Sequence, residues 1–315
     1  MPAQARNLKP TLASLGLAWK VLSTRELPGG TLVWLHVTPS ARDLAGASAA
    51  KDLLIGETGV VPRLRVRNPA DREVLLPSDL VVDGGKQARV VERSVIIPAA
   101  SEVEIPVRCV EAGRWHARDA RTAQTFKVTS TVSGASREHL AQLKKRSLKT
   151  RNSYDLDQNE VWTHVTSELD REDVRSGTSS YTAVIAKRVI ALDRARALDV
   201  KAPPGANGVA VIRTVGPNWV EAFPSTDHVD AAVTAFVADL MIAPAEEEAA
   251  GKGSSGPANA RASLALSLAW AADVIAVATP PGTSGESYAV DAEGIAGCVL
   301  VRDERLAHLA MSVTF

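Results

Sequence analysis

This chain has very few cysteines and no excess of charge of either sign. Its 315 residues include only two cysteines, Cys109 and Cys298, and neither belongs to a Cys-x-x-Cys or Cys/His pattern. We therefore predict no metal site and no cofactor. A sparse pair of this kind fits a reducing compartment better than a disulfide framework, which predicts a cytoplasmic protein. The 36 basic and 36 acidic side chains leave a formal net charge of +0. We therefore predict no nucleic-acid partner, since such a partner selects strongly basic surfaces.

Long apolar runs are missing as well. The longest, over residues 262–278, is interrupted by Ser263, Ser267 and Asp273. It falls short of the ~20 apolar residues that cross a membrane. The first twenty residues lack the apolar core and cleavage site of a signal peptide. We therefore predict neither a signal peptide nor a membrane partner. An apolar fraction of 45% nevertheless suffices for a packed core, which predicts a globular chain.

Short strands separated by turns occupy the first 130 residues. Apolar and charged side chains alternate over residues 63–67 and again over residues 102–110. This is the period-two pattern of half-buried strands. Several such strands at this spacing are typical of a β-sandwich or a small barrel.

Helical spacing replaces this pattern after residue 133. Ser136 and Asp157 are N-cap candidates for the first two helices, and a third begins at Tyr181. The later chain combines two strands, an amphipathic helix, a helix over 259–277 that we expect to be buried, and a closing meander. We predict an α+β protein with an N-terminal antiparallel β-sandwich-like region, a helical connector and a C-terminal α+β layer ending in a β-meander. The predicted segments are residues 1–132, 133–204 and 205–315.

The densest turn chemistry lies between Asp79 and Trp115. Gly84 and Gly85 separate two apolar runs and predict a hairpin, because glycine adopts positive φ without steric cost. Side chains at this turn and at the later Glu-Ala-Gly-Arg-Trp turn form a candidate ligand site. Its predicted members are Gly84, Gly85, Lys86, Gln87, Arg89, Glu111, Arg114 and Trp115.

These residues support two interpretations. In the first, the glycine backbone and neighbouring cations bind phosphate, Arg114 contacts it in a bidentate manner, and Trp115 stacks on a base or sugar. In the second, the glycines form an ordinary hairpin turn, Glu111 and Arg114 form a local ion pair, and Trp115 packs on the core. Both interpretations remain open at this level.

Other chemistry-bearing residues show no catalytic pattern in the sequence. Cys109 lies on the apolar face of its strand, so we expect a small buried hydrophobic side chain rather than a nucleophile. The histidines have no metal-binding spacing, and we expect them at the surface or at helix caps. They are His36, His116, His139, His164, His228 and His308.

The run from Leu64 to Trp115 resembles the ARPP-1 family, whose name stands for ADP-ribosylglycohydrolase- and rhodanese-phosphatase-associated protein. The pieces GGKQxR and CVExGRW carry the resemblance together. It continues through residues 160–165, 176–181, 208–223 and 299–315. Family members have Asn after GKQ, where this chain has Ala88. The resemblance implies an association with ADP-ribose- and NAD-linked enzymes but no particular activity.

We therefore predict a cytoplasmic accessory protein that binds a phosphate-bearing small molecule such as ADP-ribose or a related nucleotide. One alternative is a scaffold or self-assembling interaction module, a homo-oligomer whose C-terminal strands pair with another chain. A second alternative is a hydrolase of ADP-ribosyl bonds. That activity requires acidic residues or a metal in a cleft, and the sequence alone identifies no such group.

Overall fold

A computed structural model describes residues 10–41, 43–45, 52–117, 124–250 and 258–314. These residues form an eight-stranded sheet, a closed six-stranded barrel, a two-stranded ribbon and intervening helices. The predicted α+β class is confirmed, with N-terminal strands, central helices and a C-terminal sheet that ends in a meander. In the described part of the chain, no helix is both long and apolar enough to span a membrane.

The N-terminal strands form a closed barrel, the second of the two architectures that the strand spacing allowed. The barrel order is β10-β3-β4-β9-β7-β6, and every neighbouring pair is antiparallel. Along β4, exposed arginines alternate with buried Leu64 and Val66, so the barrel interior is apolar. The barrel strands are β3 (Leu54–Glu57), β4 (Arg63–Asn68), β6 (Leu80–Gly84), β7 (Arg89–Val91), β9 (Ser101–Cys109) and β10 (Thr125–Thr131), and the ribbon consists of β5 (Val74–Leu76) and β8 (Val95–Ile97).

The eight-stranded sheet joins the first hairpin to the C-terminal strands in the order β1-β2-β11-β12-β16-β15-β14-β13. The last strand lies inside this sheet and is hydrogen-bonded on both sides. Both edges of the last strand are therefore occupied within the chain, and the alternative of a homo-oligomer stays a prediction. The three predicted segments stay a prediction. The strands are β1 (Ala18–Leu27), β2 (Gly30–Thr38), β11 (Gly208–Arg213), β12 (Asn218–Ala222), β13 (Asp273–Val277), β14 (Glu286–Ala292), β15 (Ile295–Arg302) and β16 (Arg305–Val313).

Two of the predicted helix boundaries differ from the structure. The first helix is capped by Ser133, whose hydroxyl accepts a hydrogen bond from the Ser136 N–H at 3.1 Å, whereas Asp157 caps the second helix as predicted. The last helix ends at Ala271, and strand β13 occupies the remainder of the predicted 259–277 helix. The helices are α1 (Gly134–Arg151), α2 (Gln158–Arg171), α3 (Tyr181–Lys187), α4 (Val189–Ala197), α5 (Thr226–Ala250) and α6 (Ala258–Ala271).

Apolar packing places the helices around both β-structures. One face of the large sheet packs with Phe236 of α5, and the other packs with Trp270 of α6. Leu140 of α1 and Val161 of α2 pack against Val90 on the outside of the barrel. The α1–α2 pair therefore packs against the barrel, and α1 also contacts β15 and β16 of the large sheet. The helix α6 is not buried all round as predicted, because Leu264 and Leu268 are exposed.

Candidate functional site

The predicted glycine hairpin is present between β6 and β7. Val81 pairs with Val90 in antiparallel register, and Gly84 and Gly85 have φ values of 144° and 45°. A Cβ atom at Gly84 would lie 2.1 Å from the carbonyl oxygen of Thr125. Glycine is therefore required here both for its backbone conformation and for the close approach of β10.

Arg114 joins this hairpin to the later turn. Its Nη1 donates to the Gly85 carbonyl at 2.8 Å and to the His116 carbonyl at 3.1 Å, and its Nη2 donates to the Gly84 carbonyl at 3.3 Å. Its Nε and Nη2 donate to the two carboxylate oxygens of Glu111 at 2.9 and 2.7 Å. The predicted ion pair between Glu111 and Arg114 is confirmed. All five N–H groups of this guanidinium have acceptors inside the protein.

Glu111 is fully buried, and its carboxylate accepts hydrogen bonds from three residues. The Ala88 N–H donates to it at 2.9 Å and the Thr178 hydroxyl at 2.8 Å. Burial alone would raise the pKa of Glu111, but the bonds from Arg114, Ala88 and Thr178 outweigh it and lower that pKa to about 2. Ala88 makes this contact through its backbone, so the contact does not depend on the side chain at position 88.

The other predicted members lie in different environments. Gln87 is buried and donates to the Glu111 carbonyl at 3.0 Å, which makes it part of the same cluster. Lys86 has an exposed side chain, and its backbone N–H donates to Glu57 at 2.9 Å. Trp115 is 58% exposed and makes an edge contact with Trp162 at 6.3 Å, so its expected packing on the core is wrong.

Arg89 has an unusual environment among these members. Its side chain is 2% exposed, and its guanidinium donates to the carbonyls of Val61 and Ala88 at 3.3 and 3.4 Å. Burial lowers its pKa. The structure thus brings the two predicted turns together through Arg114, Glu111 and Gln87. In the described ranges, neither Lys86 nor Arg89 donates a hydrogen bond to Glu111.

A larger pocket lies elsewhere, between α1 and α2. Its volume is about 380 Å³. Each helix contributes residues that recur on one face at helical spacing. The lining residues are Ala135, Glu138, His139 and Gln142 from α1, and Thr163, His164, Ser167 and Glu168 from α2. Sequence reasoning missed this site. The one local signal is that Glu138, His139 and Gln142 are polar and lie on the same face of α1.

A buried polar network supports the floor of this pocket. The Ser136 hydroxyl is fully buried and lies 2.9 Å from His164 Nε2, 3.1 Å from Glu168 Oε2 and 3.0 Å from the Tyr181 hydroxyl. Arg171 donates to both oxygens of Glu168, at 3.1 and 3.0 Å. Burial would raise the pKa of Glu168, but the contacts with Arg171 outweigh it and lower the pKa. Glu168 is therefore a carboxylate that only accepts hydrogen bonds.

Three histidines are buried, although we expected all six at the surface or at caps. His164, His228 and His308 are 8%, 3% and 0% exposed. His164 stacks on His139 with ring centroids 4.2 Å apart. Burial, with the added effect of His139, lowers the pKa of His164 to about 4. The imidazole of His164 is therefore neutral at physiological pH.

A second serine–histidine–glutamate arrangement lies where the barrel meets the sheet. Ser94 Oγ is 2.7 Å from His308 Nδ1, and His308 Nε2 is 3.1 Å from Glu221 Oε1. All three side chains are buried, and the adjoining cavity, which Ser94 lines beside Cys298, holds only about 10 Å³. That volume is about one water, so this arrangement bonds the two β-structures together and has no space for a substrate. Cys109 is likewise buried, as expected.

The barrel, the sheet and the packed helices together define an α+β protein with a polar groove between α1 and α2. The chain belongs to the ARPP-1 family, because the sequence model of the ARG and Rhodanese-Phosphatase-superfamily-associated Protein domain matches residues 32–312. No curated protein and no solved structure matches the chain. The family's association with the ADP-ribosylglycohydrolase and rhodanese-phosphatase superfamilies suggests an accessory protein.

Proposed function

We propose that this protein binds a phosphate-bearing small molecule of the ADP-ribose type in the pocket between α1 and α2. The observation that carries the proposal is this groove, which has a volume of about 380 Å³ and is open to solvent along His139, Thr163 and Ser167. Small-molecule sites typically enclose about 300–1,000 Å³ and contain a few converging polar groups. The association of the family with the ADP-ribosylglycohydrolase superfamily supports a ligand that contains ribose.

The polar lining suits the hydroxyl groups of a sugar. Glu138 and His164 present acceptors to the pocket. The hydroxyls of Thr163 and Ser167 each donate to the carbonyl four residues earlier, at 2.9 and 3.1 Å. Their oxygens therefore offer lone pairs to the pocket. A ribose, which carries several O–H donors, complements such an acceptor-rich wall.

A small cleft adjoins the pocket at the N-terminus of α1. Ala135 lines both, and the cleft, of about 20 Å³, is further lined by Gly134, three arginines and two carboxylates: Arg171, Arg188, Arg213, Glu172 and Asp239. That volume is too small for a phosphate. We therefore place the sugar between α1 and α2 and the phosphate at the open mouth of the pocket, outside this cleft.

Isothermal titration with ADP-ribose and with AMP tests this placement. Ser167→Tyr fills the pocket, and its matched control is Thr166→Tyr on the outer side of the same helix. Both positions are exposed, and both hydroxyls bond the carbonyl four residues earlier. We expect binding by the wild type and Thr166→Tyr and its loss in Ser167→Tyr. The glycine-turn site predicted from the sequence is the competitor: loss of binding in Lys86→Ala but not in Ser167→Tyr would favour it.

Self-assembly is a second candidate, and the exposed strand β1 is the observation that favours it. In the described part of the chain, β1 is hydrogen-bonded on one side only, to β2, so ten residues form an open sheet edge. Lys20, Arg25 and the bulge after Val21 oppose edge pairing. Light scattering over a concentration series decides between the candidates, because a constant monomer mass would exclude assembly through β1.

A further inference from the structure

Two histidine rings lie parallel in the groove between α1 and α2. The ring centroids of His139 and His164 are 4.2 Å apart, and the ring planes differ by 11°. Both side chains line the groove. His164 is 8% exposed, and its Nε2 lies 2.9 Å from the fully buried Ser136 hydroxyl. The inner ring of the pair is therefore held from beneath by the packed helices.

His139 is the outer ring of this pair. Its side chain is exposed. Among the described residues, its ring contacts no aromatic ring except that of His164 and makes no hydrogen bond. Because His164 covers one face of the ring, the exposed part of His139 consists of the opposite face and the ring edge. The groove is thus lined by a flat aromatic surface that a second ring supports.

The two imidazoles are neutral at pH 7. Burial lowers the pKa of His139, and Arg146 lowers it further, against a weaker effect of nearby carboxylates. Burial, with the added effect of His139, lowers the pKa of His164 to about 4. The two rings therefore stack without charge repulsion. The exposed ring attracts another aromatic ring by dispersion rather than an anion by charge.

Hydrogen-bonding groups flank the exposed ring on both helices. Gln142 lies one turn farther along α1, and Thr163 lies on α2. Gln142 is half-buried and has no hydrogen-bond partner among the described residues, so its amide offers two donors and one acceptor. Such an amide can pair with the donor and the acceptor at the edge of an adenine. A flat ring beside an open amide is a combination suited to a nucleobase.

We propose that the outer face of His139 is the stacking platform for the base of a nucleotide bound in this groove, and that Gln142 contacts the edge of that base. The inference rests on the ligand class proposed above. It adds that the base, beside the ribose and the phosphate, determines which ligands bind. Histidine is one of the side chains on which bases stack in proteins. Removing such a platform typically lowers affinity by about 5- to 150-fold.

Isothermal titration of the full chain with AMP and with ribose 5-phosphate tests the platform, because these probes share the ribose and the phosphate and differ in the base. We expect AMP to bind about 5- to 150-fold more tightly than ribose 5-phosphate. His139→Ala should remove this difference by weakening AMP alone, whereas His139→Phe, which keeps a flat ring, should retain it. The matched control, His116→Ala, changes an exposed histidine outside the groove and should leave both affinities unchanged. Circular dichroism verifies that each variant is folded.

The outcomes separate the platform from the binding site. Equal affinities for AMP and ribose 5-phosphate, or ADP-ribose binding that His139→Ala leaves unchanged, overturn the stacking and leave the binding proposal standing. An equal loss of both probes in His139→Ala also overturns the stacking, because His139 would then only hold the helices together. No heat with AMP, ribose 5-phosphate or ADP-ribose overturns both proposals. Loss of AMP binding in Trp115→Ala but not in His139→Ala would assign the stacking to the exposed tryptophan and overturn the platform.

Proton chemical shifts of the His139 ring test the contact independently of affinity. A base stacked on the outer face should move the Hδ2 and Hε1 resonances of His139 upfield when AMP is added, and ribose 5-phosphate should leave them in place. His164 lies behind His139 and should shift less. Equal shifts with the two probes, or a larger shift at His164 than at His139, would contradict stacking on the outer face.

Discussion

Glu111→Gln is expected to destabilise the folded chain more than any exposed charge substitution. The substitution replaces the carboxylate that binds Arg114 in a bidentate manner and also accepts from the Ala88 N–H and the Thr178 hydroxyl. Arg114 is 3% exposed, so its charge would stay buried and would keep only the longer contact with Asp83, at 3.9 Å, of the two ion pairs that it makes among the described residues. Removing one partner of a buried ion pair typically costs about 3–5 kcal/mol.

The magnitude also follows from the pKa of Glu111. A pKa lowered from 4.5 to about 2 corresponds to about 3 kcal/mol at about 1.4 kcal/mol per pKa unit. Glu111 itself is buried, but Gly113, Trp115 and His116 beside it are exposed, so solvent screening reduces this value to about 2 kcal/mol. The two arguments together predict that Glu111→Gln lowers the free energy of unfolding at pH 7 by about 2–4 kcal/mol.

The pH dependence gives this prediction its sharpest form. A carboxyl group whose pKa is lowered in the folded state stabilises it fully above the unfolded pKa, and that contribution disappears as pH falls through the folded pKa. The difference between wild type and Glu111→Gln should therefore be largest at pH 7. It should shrink as the pH falls from 4.5 toward 2, and be smaller by about 1 kcal/mol at pH 3.5.

Urea unfolding at both pH values measures the effect. The control is Glu104→Gln, which breaks an exposed pair with Arg63 at 3.8 Å, where the side chains are 45% and 51% exposed. An exposed pair contributes at most about 1 kcal/mol. The reasoning would be refuted by an equal loss in both variants, or by a Glu111→Gln difference that stays constant between pH 7 and pH 3.5.

Three further predictions use the same unfolding assay or a simple labelling reaction. Gly84→Ala should lower the free energy of unfolding by about 3 kcal/mol, because the added Cβ would lie 2.1 Å from the Thr125 carbonyl oxygen. The control Gly177→Ala adds a Cβ with nothing within 4 Å and should be nearly neutral. Equal effects of the two substitutions would contradict this prediction. Asp239→Asn should cost about 3–5 kcal/mol, since it leaves two buried arginines without their carboxylate; a loss below about 1 kcal/mol would be incompatible with that pairing. Both cysteines are buried, and burial raises the pKa of the Cys298 thiol to about 11. A thiol reagent should therefore label the two cysteines only after the chain unfolds. Rapid labelling of the folded chain would contradict their burial.

The features that the sequence predicted are those set by neighbouring residues. The Gly84-Gly85 hairpin follows from the backbone freedom of glycine, and the Glu111–Arg114 pair follows from a spacing of three residues. The Asp157 cap depends only on the next turn of its helix. Each of these rests on interactions within a few positions, so a pattern in one stretch of chain suffices to predict it.

The features that the sequence did not predict depend on which distant elements pack together. The pocket exists because α1 and α2 lie side by side, and neither helix alone marks its polar residues as a site. His308 is buried because β16 lies inside the sheet between β12 and β15, and that position also removes the last strand from the edge. The barrel likewise requires β6 to pair with β10, more than forty positions later. Non-local strand pairing leaves little trace in local periodicity.

Unused hydrogen-bonding capacity separates the two candidate sites. At the glycine turn, all five N–H groups of Arg114 have internal acceptors, so an incoming phosphate would have to displace the Glu111 carboxylate or backbone carbonyls. Between α1 and α2, His164 Nδ1 and the Glu138 carboxyl group have no acceptor or donor among the described residues and face an open volume. A saturated polar cluster gains little from a ligand, because each new bond replaces an existing protein bond, whereas groups that face an open groove exchange only their bonds to water. The glycine turn therefore acts mainly in folding, and the two-helix pocket is where we expect a ligand to bind.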